Sequence, residues 1–231
     1  MTDEQITLKK WIDESNYIVF FGGAGVSTES NIPDFRSTDG LYNQKYKYPP
    51  ETILSHSFFV QKPKEFYDFY RDKMIYTEAK PNKAHYALAE LEKQGKLKAV
   101  ITQNIDGLHQ AAGSKSVYEL HGTIMKNYCT RCGREYPLST IIESRGIPRC
   151  QVKDETGGVC NGLIKPKVGL YEEGLDDNVV SGAIKHIRNA DMLIIGGTSL
   201  TVYPAAGLIR YFSGRHIVLI NKAPTSSDSM A

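Results

Sequence analysis

Residues 23–36 begin Gly23-Ala24-Gly25-Val26-Ser27 and end Ile32-Pro33-Asp34-Phe35-Arg36, and they follow an apolar run, Tyr17-Ile18-Val19-Phe20-Phe21. Glycines in a turn after a buried strand bring bare backbone amides to a phosphate, because no Cβ blocks the approach and a following helix start favours negative charge. A dinucleotide dehydrogenase would add a third glycine and, about 20 residues on, an acid at the end of the next strand. Here Ser27 and Thr28 follow the glycines and the chain turns into a polar, aromatic stretch. The pattern is that of a nucleotide site with an unusual covering over the pyrophosphate.

Four further places at the ends of strand-like runs carry reactive groups. Residues 102–109 read Thr-Gln-Asn-Ile-Asp-Gly-Leu-His and crowd an amide, a carboxylate and a glycine just past one such run. They can position a ligand's hydroxyls and carboxamide, or form an Asx turn that caps the next helix. His121-Gly122 ends another run, where the imidazole can act as a general base near neutral pH or serve as a hydrogen-bonded turn residue. Gly196-Gly197-Thr198-Ser199 forms a second turn of glycines and hydroxyls, and Asn221 ends the last run, within reach of a ribose.

All four cysteines fall in residues 124–162. Cys129 and Cys132 make a Cys-x2-Cys knuckle, Cys150 follows after 17 residues and Cys160 after 9 more. The first pair matches a four-cysteine zinc ribbon; the second is wider than the usual x2 spacing, which makes residues 151–159 a loop inserted between the last two ligands. Four thiolates complete a tetrahedron, so this metal is expected to be structural. Reduced thiols without metal are the alternative.

The elements that must position these groups alternate strand and helix. Leu8, Trp11 and Ile12 lie at helical spacing before the first strand. Pro81 opens a helix with Ala84, Leu88 and Leu91 on one face and Gly95 at its end. Strands follow at 97–102 and 117–120, then a helix from about Asp177 bearing Val180, Ile184 and Ile187, a strand at 192–195, a helix opened by Pro204 and a strand at 216–221. Strands separated by single helices imply a parallel, doubly wound α/β sheet, which binds ligands beyond the carboxyl ends of its strands. Two segments break the rhythm. One is a helical insertion, 37–76, with an apolar stripe of Phe66, Phe69, Tyr70 and Met74; the other is the cysteine module, 124–162. The expected division is therefore a Rossmann-like nucleotide-binding domain of residues 1–36, 77–123 and 163–231, with the insertion and the cysteine module forming a small domain.

Composition narrows the class further. A net charge of +2 on 231 residues gives no basis for binding nucleic acid or an anionic membrane. The N-terminal stretch carries acids and lysines and does not read as a signal peptide, and the apolar runs are shorter than the roughly 20 residues a bilayer needs. A cytoplasmic monomer is expected, and cysteines in a reducing compartment point to metal.

With these segments in this order, the chain resembles the sirtuins, the NAD-dependent protein-lysine deacylases. The likeness rests on the glycine turn with residues 32–36, on 102–109, on His121-Gly122, on the four cysteines, on Lys165-Pro166, and on Gly197-Thr198-Ser199-Leu200 with Tyr203-Pro204-Ala205-Ala206. It implies a cofactor site of Gly23, Ala24, Gly25, Ile32, Phe35, Arg36, Gln103, Asn104, Ile105, Asp106, Gly197, Thr198, Ser199, Asn221 and Lys222. It further implies His121 as general base, with Asn104 and Asp106 catalytic. Tyr67, Val168, Leu170 and Tyr171 would meet an acetyl-lysine protein or peptide, and Cys129, Cys132, Cys150 and Cys160 would hold one structural zinc. In the family the acyl oxygen of a modified lysine attacks the anomeric carbon of the nicotinamide ribose, and a base then activates a ribose hydroxyl. The products are free lysine, nicotinamide and O-acyl-ADP-ribose. ADP-ribosyl transfer to protein and a non-catalytic nucleotide-sensing module are the competing readings.

The chain departs from the family in places. Gly22 replaces a threonine, and Asn31 replaces a glycine; Asn tolerates positive φ, so the loop is expected to keep its shape. Glu172 stands where the peptide-pairing strand usually has glycine. Family members that remove acidic acyl groups carry Tyr-x-x-Arg on a helix lining the acyl pocket, whereas this chain has Tyr67 with Tyr70 three residues on and Arg71 one step later. One residue is about 100° of helix, so Arg71 is expected to point away and the acyl group removed to be uncharged.

Overall fold

The strand Ile18–Gly22 (β1) is wholly buried, and its alternate side chains go to opposite faces: Ile18 and Phe20 to one core, Val19 and Phe21 to another. Burial on both faces is what a central parallel strand requires, and it explains why the run is continuously apolar. In this computed structural model, which describes residues 1–35, 40–41, 45–153, 157–225 and 227–231, β1 lies at the centre of a five-stranded parallel sheet.

Before it runs helix Asp3–Glu14 (α1), capped by Thr2 and Gln5. The insertion supplies three helices, Pro50–Ile53 (α2), His56–Gln61 (α3) and Pro63–Lys73 (α4). Then come helix Lys83–Lys93 (α5), strand Leu97–Thr102 (β2), the short helix Leu108–Ala111 (α6) and strand Val117–Glu119 (β3). Strands Gly122–Cys129 (β4) and Glu135–Pro137 (β5), helix Leu138–Glu143 (α7) and strand Ile164–Val168 (β6) form the next module. The chain returns through helix Asp177–Asn189 (α8), strand Met192–Gly196 (β7), a 3-10 helix at Ala205–Tyr211 and strand His216–Ile220 (β8).

The large sheet has the order β3-β2-β1-β7-β8, and the small antiparallel one β5-β4-β6. Apolar stripes of α1 (Leu8, Trp11, Ile12) and α5 (Leu88, Leu91) cover one face of the large sheet; α8 (Ala183, Ile187) and the 3-10 helix (Ala205, Leu208) cover the other. This is the doubly wound α/β arrangement expected from the alternation. Two details differ. Asn82, not Pro81, caps α5. The segment after Pro204 forms a tighter 3-10 helix, and Gly207 within it weakens the α-helical alternative.

The small lobe has a single core. Phe58, Phe59, Phe66, Tyr67, Phe69 and Tyr70 of the insertion pack with Ile124, Ile141, Ile164, Val168 and Leu170 and with Cys129 and Cys150. The helical stripe read from the sequence is thus buried against the cysteine module, and truncating a fully buried ring such as Phe66 to alanine would cost about 3–5 kcal/mol. No helix among the described residues is long and apolar enough to cross a membrane.

Candidate functional site

Strands β1, β2 and β7 finish level with one another, Gly22 pairing with Thr102 on one side and Gly196 on the other. Their following turns therefore emerge together and interlock. Gly25 donates to the carbonyl of Gly197 at 2.8 Å, Gly23 to Gly196 at 3.2 Å, and Gln103 to Gly22 at 3.0 Å. A Cβ on Gly25 would lie 2.8 Å from the Cα of Gly197, and one on Gly197 (φ 58) would lie 2.4 Å from the Val26 amide. These glycines let two turns touch. This corrects the expectation of bare amides at residues 23–27: Gly23, Gly25, Val26 and Ser27 all donate within the protein, and only the Ala24 amide has no acceptor among the described residues. Asn31 adopts φ 62, the left-handed conformation anticipated for it.

Ser27 links this loop to the next. Fully buried, it donates to Asp106 Oδ2 at 2.7 Å and accepts from Asn104 Nδ2 at 3.0 Å. Asp106 also accepts the Leu108 amide at 2.9 Å through Oδ1, so it holds the first amide of α6 and Ser27 at once. Asn104 is in turn fixed by its amide on Thr102 Oγ1 at 3.0 Å. Gln103 Nε2 donates to Thr198 Oγ1 at 2.9 Å, and Asn221 Nδ2 donates to the Thr198 carbonyl at 2.7 Å. The hydroxyls of Ser199, which is exposed, and Thr201 lie 2.8 Å apart; Lys222 is exposed beside Asn221.

His121, at the exit of β3, places Nδ1 3.0 Å from the carbonyl of Gln103. A carbonyl only accepts, so Nδ1 carries the proton and Nε2 keeps its lone pair. Burial lowers the imidazole pKa below the ordinary histidine value, only partly opposed by that hydrogen bond. The His121 carbonyl accepts from Gly169 at 2.9 Å, which ties the imidazole's backbone to the segment after β6. Gly122, at φ 74, has no alternative: a Cβ there would meet the Lys167 carbonyl at 2.1 Å.

Phe35 and Ile105 pack on the small-lobe core that also contains Tyr67, Val168 and Leu170. The structure thus brings the residues nominated on the nucleotide side against those nominated on the peptide side. Ile32 is half-buried and Tyr171 exposed. Tyr67 is fully buried, its hydroxyl donating to the Ile164 carbonyl at 2.5 Å, and desolvation raises its pKa far above the usual phenol range. Arg36 lies outside the described residues.

The four cysteine sulfurs lie within 4.8 Å of one another. The distances Cys129–Cys160 and Cys132–Cys150 are both 3.6 Å, close to the roughly 3.8 Å edge of a tetrahedron with ~2.3 Å zinc–sulfur bonds. The amides of Arg131 and Cys132 point at Cys129 Sγ from 3.4 Å, as the knuckle requires, and a Cβ on Gly162 would lie 2.6 Å from that sulfur. The donor set fits one zinc ion. Residues Lys153 and Val159 pair across the inserted loop.

Two groups escaped the sequence reading. Ser27 belongs to the glycine motif, but nothing in its spacing marks it as the bridge between Asn104 and Asp106. Asn82 donates to the Val26 carbonyl at 2.8 Å and to Ser30 Oγ at 3.0 Å, anchoring the glycine loop to α5; the signal was its position as an Asn at a helix start.

Residues 23–204 match the Sir2 family. The chain is 58% identical over its whole length to a protein of Clostridium acetobutylicum, covering 93% of it, and equally to one of Clostridium perfringens; both are named NAD-dependent protein deacetylase. Among solved structures it resembles one described as Sir2 with a p53 peptide and NAD+ (39% identity, TM-score 0.83) and one described as Sir2 bound to acetylated peptide (38%, 0.84). In both it covers 100% of this chain and 91% of the other. With a family match across most of its length and relatives at this identity, the chain belongs to the Sir2 family.

Proposed function

We propose that the protein removes acetyl groups from lysine side chains in an NAD-dependent reaction. One structural observation carries the residue assignment: His121 is held by Gln103 with Nε2 available, on a loop cluster where Ser27, Asn104 and Asp106 are already locked together. Bound NAD supplies an anomeric carbon from which nicotinamide can depart, the acceptor for the acetyl oxygen. Ala24, Gly25 and Phe35 would cover its pyrophosphate and ribose, a role that the family resemblance also gives to Arg36. Ile32, Asn104, Ile105 and Asp106 would surround the nicotinamide, and Thr198, Ser199 and Asn221 would meet the adenosine half. His121 Nε2 takes the proton from the ribose hydroxyl. Its depressed pKa keeps it neutral near pH 7, the form a base needs.

Residues 168–171 form the surface that receives the acetyl-lysine peptide, and because the Gly169, Leu170 and Tyr171 amides are already held within the protein, the segment is set in place before the peptide arrives. Cys129, Cys132, Cys150 and Cys160 hold a structural zinc that completes the small lobe's core and leaves no open coordination position for substrate. Incubation with NAD and an acetyl-lysine peptide, read by mass spectrometry, tests the assignment: deacetylated peptide with nicotinamide and O-acetyl-ADP-ribose is expected. ADP-ribosylated protein without deacetylation, or no turnover, refutes it.

A further inference from the structure

Glu172 adopts φ 75, a backbone conformation that residues with a Cβ rarely take and that persists where surrounding contacts over-determine it. The contacts are specific. Although exposed, its carboxylate accepts from the Ser57 amide at 2.9 Å and from the Ser57 hydroxyl at 2.9 Å, gripping the second residue of α3 with both oxygens. The neighbouring Glu173 reaches the same helix at His56 Nδ1, 2.8 Å away. It also accepts from the buried Lys165 ammonium at 3.0 Å and from the Leu170 amide at 2.9 Å.

The backbone follows these side chains. Tyr171 donates to the Leu54 carbonyl at 2.9 Å, His56 donates to the Tyr171 carbonyl at 3.0 Å, and Gly169 donates to His121 at 2.9 Å. Residues 168–173 are therefore suspended between the candidate base and helix α3 of the insertion. Glu173 is bound into a buried ion pair, and its loss would strand Lys165. Glu172 has no such second role. Among the described residues its carboxylate meets just the two groups of Ser57, so it serves to set where the segment sits relative to α3.

We propose that Glu172 is a positioning residue for substrate: clamped on Ser57, it fixes where residues 168–171 sit against an acetyl-lysine peptide. This rests on the functional reading above, in which that segment docks the peptide. Glu172 and Ser57 themselves touch neither the nucleotide loops nor the His121 imidazole, so the clamp acts on peptide affinity more than on the chemical step.

Glu172→Gly is a clean probe, because glycine accepts φ 75 without strain and the lost carboxylate leaves no buried group unpaired. Ser57→Ala removes the hydroxyl from the other side. Both variants and their combination are compared by steady-state kinetics and by hydrogen exchange at the Gly169 and Tyr171 amides. Each single variant is expected to raise the peptide KM about three- to tenfold with little change in kcat or in KM for NAD, as loss of a charge-assisted hydrogen bond felt equally in ground and transition states predicts. The Tyr171 amide should exchange faster. The double variant should be no worse than Glu172→Gly, because both substitutions break one clamp.

Unchanged exchange in both single variants, faster exchange with an unaltered peptide KM, or fully additive effects in the double variant would each overturn the proposal. Wild-type protein that fails to turn over acetyl-peptide with NAD would instead sink the functional reading, and the clamp's substrate role with it.

Discussion

Ser27 and Asp106, 79 residues apart in sequence, meet through a 2.7 Å hydrogen bond in which the serine hydroxyl donates. The same hydroxyl accepts from Asn104, so one oxygen sets the position of both an amide and a carboxylate on the neighbouring loop. Ser27→Ala would leave the Asn104 amide and the Asp106 carboxylate each short of a partner. We expect kcat/KM for NAD to fall about 10- to 100-fold, the range that one or two unmade polar contacts produce. Thermal stability should fall only modestly. Steady-state kinetics with acetyl-peptide in excess reads the first, and a melting curve the second.

For His121 the expected pH dependence has a definite sign. As the proposed base it reacts in its neutral form, and burial places its pKa below the ordinary histidine value of 6.5. Activity should therefore be insensitive to pH above that value and decline as pH falls through the lowered pKa. His121→Ala should lose about 10²–10⁴ in deacetylation rate, typical of removing a general base, and show no such acid limb. Calorimetric titration with NAD should still detect binding, because in the proposed reaction the base acts after the cofactor is seated.

Zinc binding should depend on more than the four thiolates. The Tyr136 hydroxyl donates to Cys150 Sγ at 3.0 Å, a contact that stabilises the negative sulfur and fixes its direction. Cys129→Ala or Cys160→Ala should release the metal and unfold the small lobe, whose core includes Cys129 and Cys150 themselves. Tyr136→Phe should retain zinc after purification but lose it to a chelator about 10-fold faster, read by a metal-sensitive dye. Elemental analysis that finds no zinc in the wild-type protein would refute the site.

Much of this was legible in the chain. The strands announce themselves because a sheet covered on both faces needs unbroken apolar runs such as Val19 to Phe21, and the cysteine spacing names its chemistry directly. The reason for the glycines was not legible: Gly25 and Gly197 are needed for each other, a contact between turns 172 residues apart that no local pattern encodes. The pairing of β6 with β4 was hidden in the same way, since it is Gly122 at φ 74 that lets Val168 approach. Nor does sequence show what Glu172 does with its carboxylate. A residue that stands where glycine is usual proves to be tied to Ser57, a residue in a different element.

The acyl group removed follows from where Arg71 goes. Its Nε donates to the Ile141 carbonyl at 2.8 Å and its Nη2 to Ser144 Oγ at 2.7 Å and to the Gly146 carbonyl at 2.5 Å. The guanidinium thus satisfies the end of α7 and the turn behind it. To meet the carboxylate of a succinyl group it would have to abandon three hydrogen bonds, and the phenol of Tyr67 is itself committed to Ile164. Carboxylate recognition depends on a two-pronged guanidinium contact that few other groups can supply. Acetyl-lysine should therefore be the better substrate, with other uncharged acyl groups tolerated and succinyl-lysine processed poorly. Rates on acetyl- and succinyl-peptides of identical sequence decide the matter. Arg71→Met, which breaks the tie to α7, should lower stability without changing that preference; desuccinylation as fast as deacetylation in the wild type, abolished in this variant, would place the guanidinium in the acyl pocket after all.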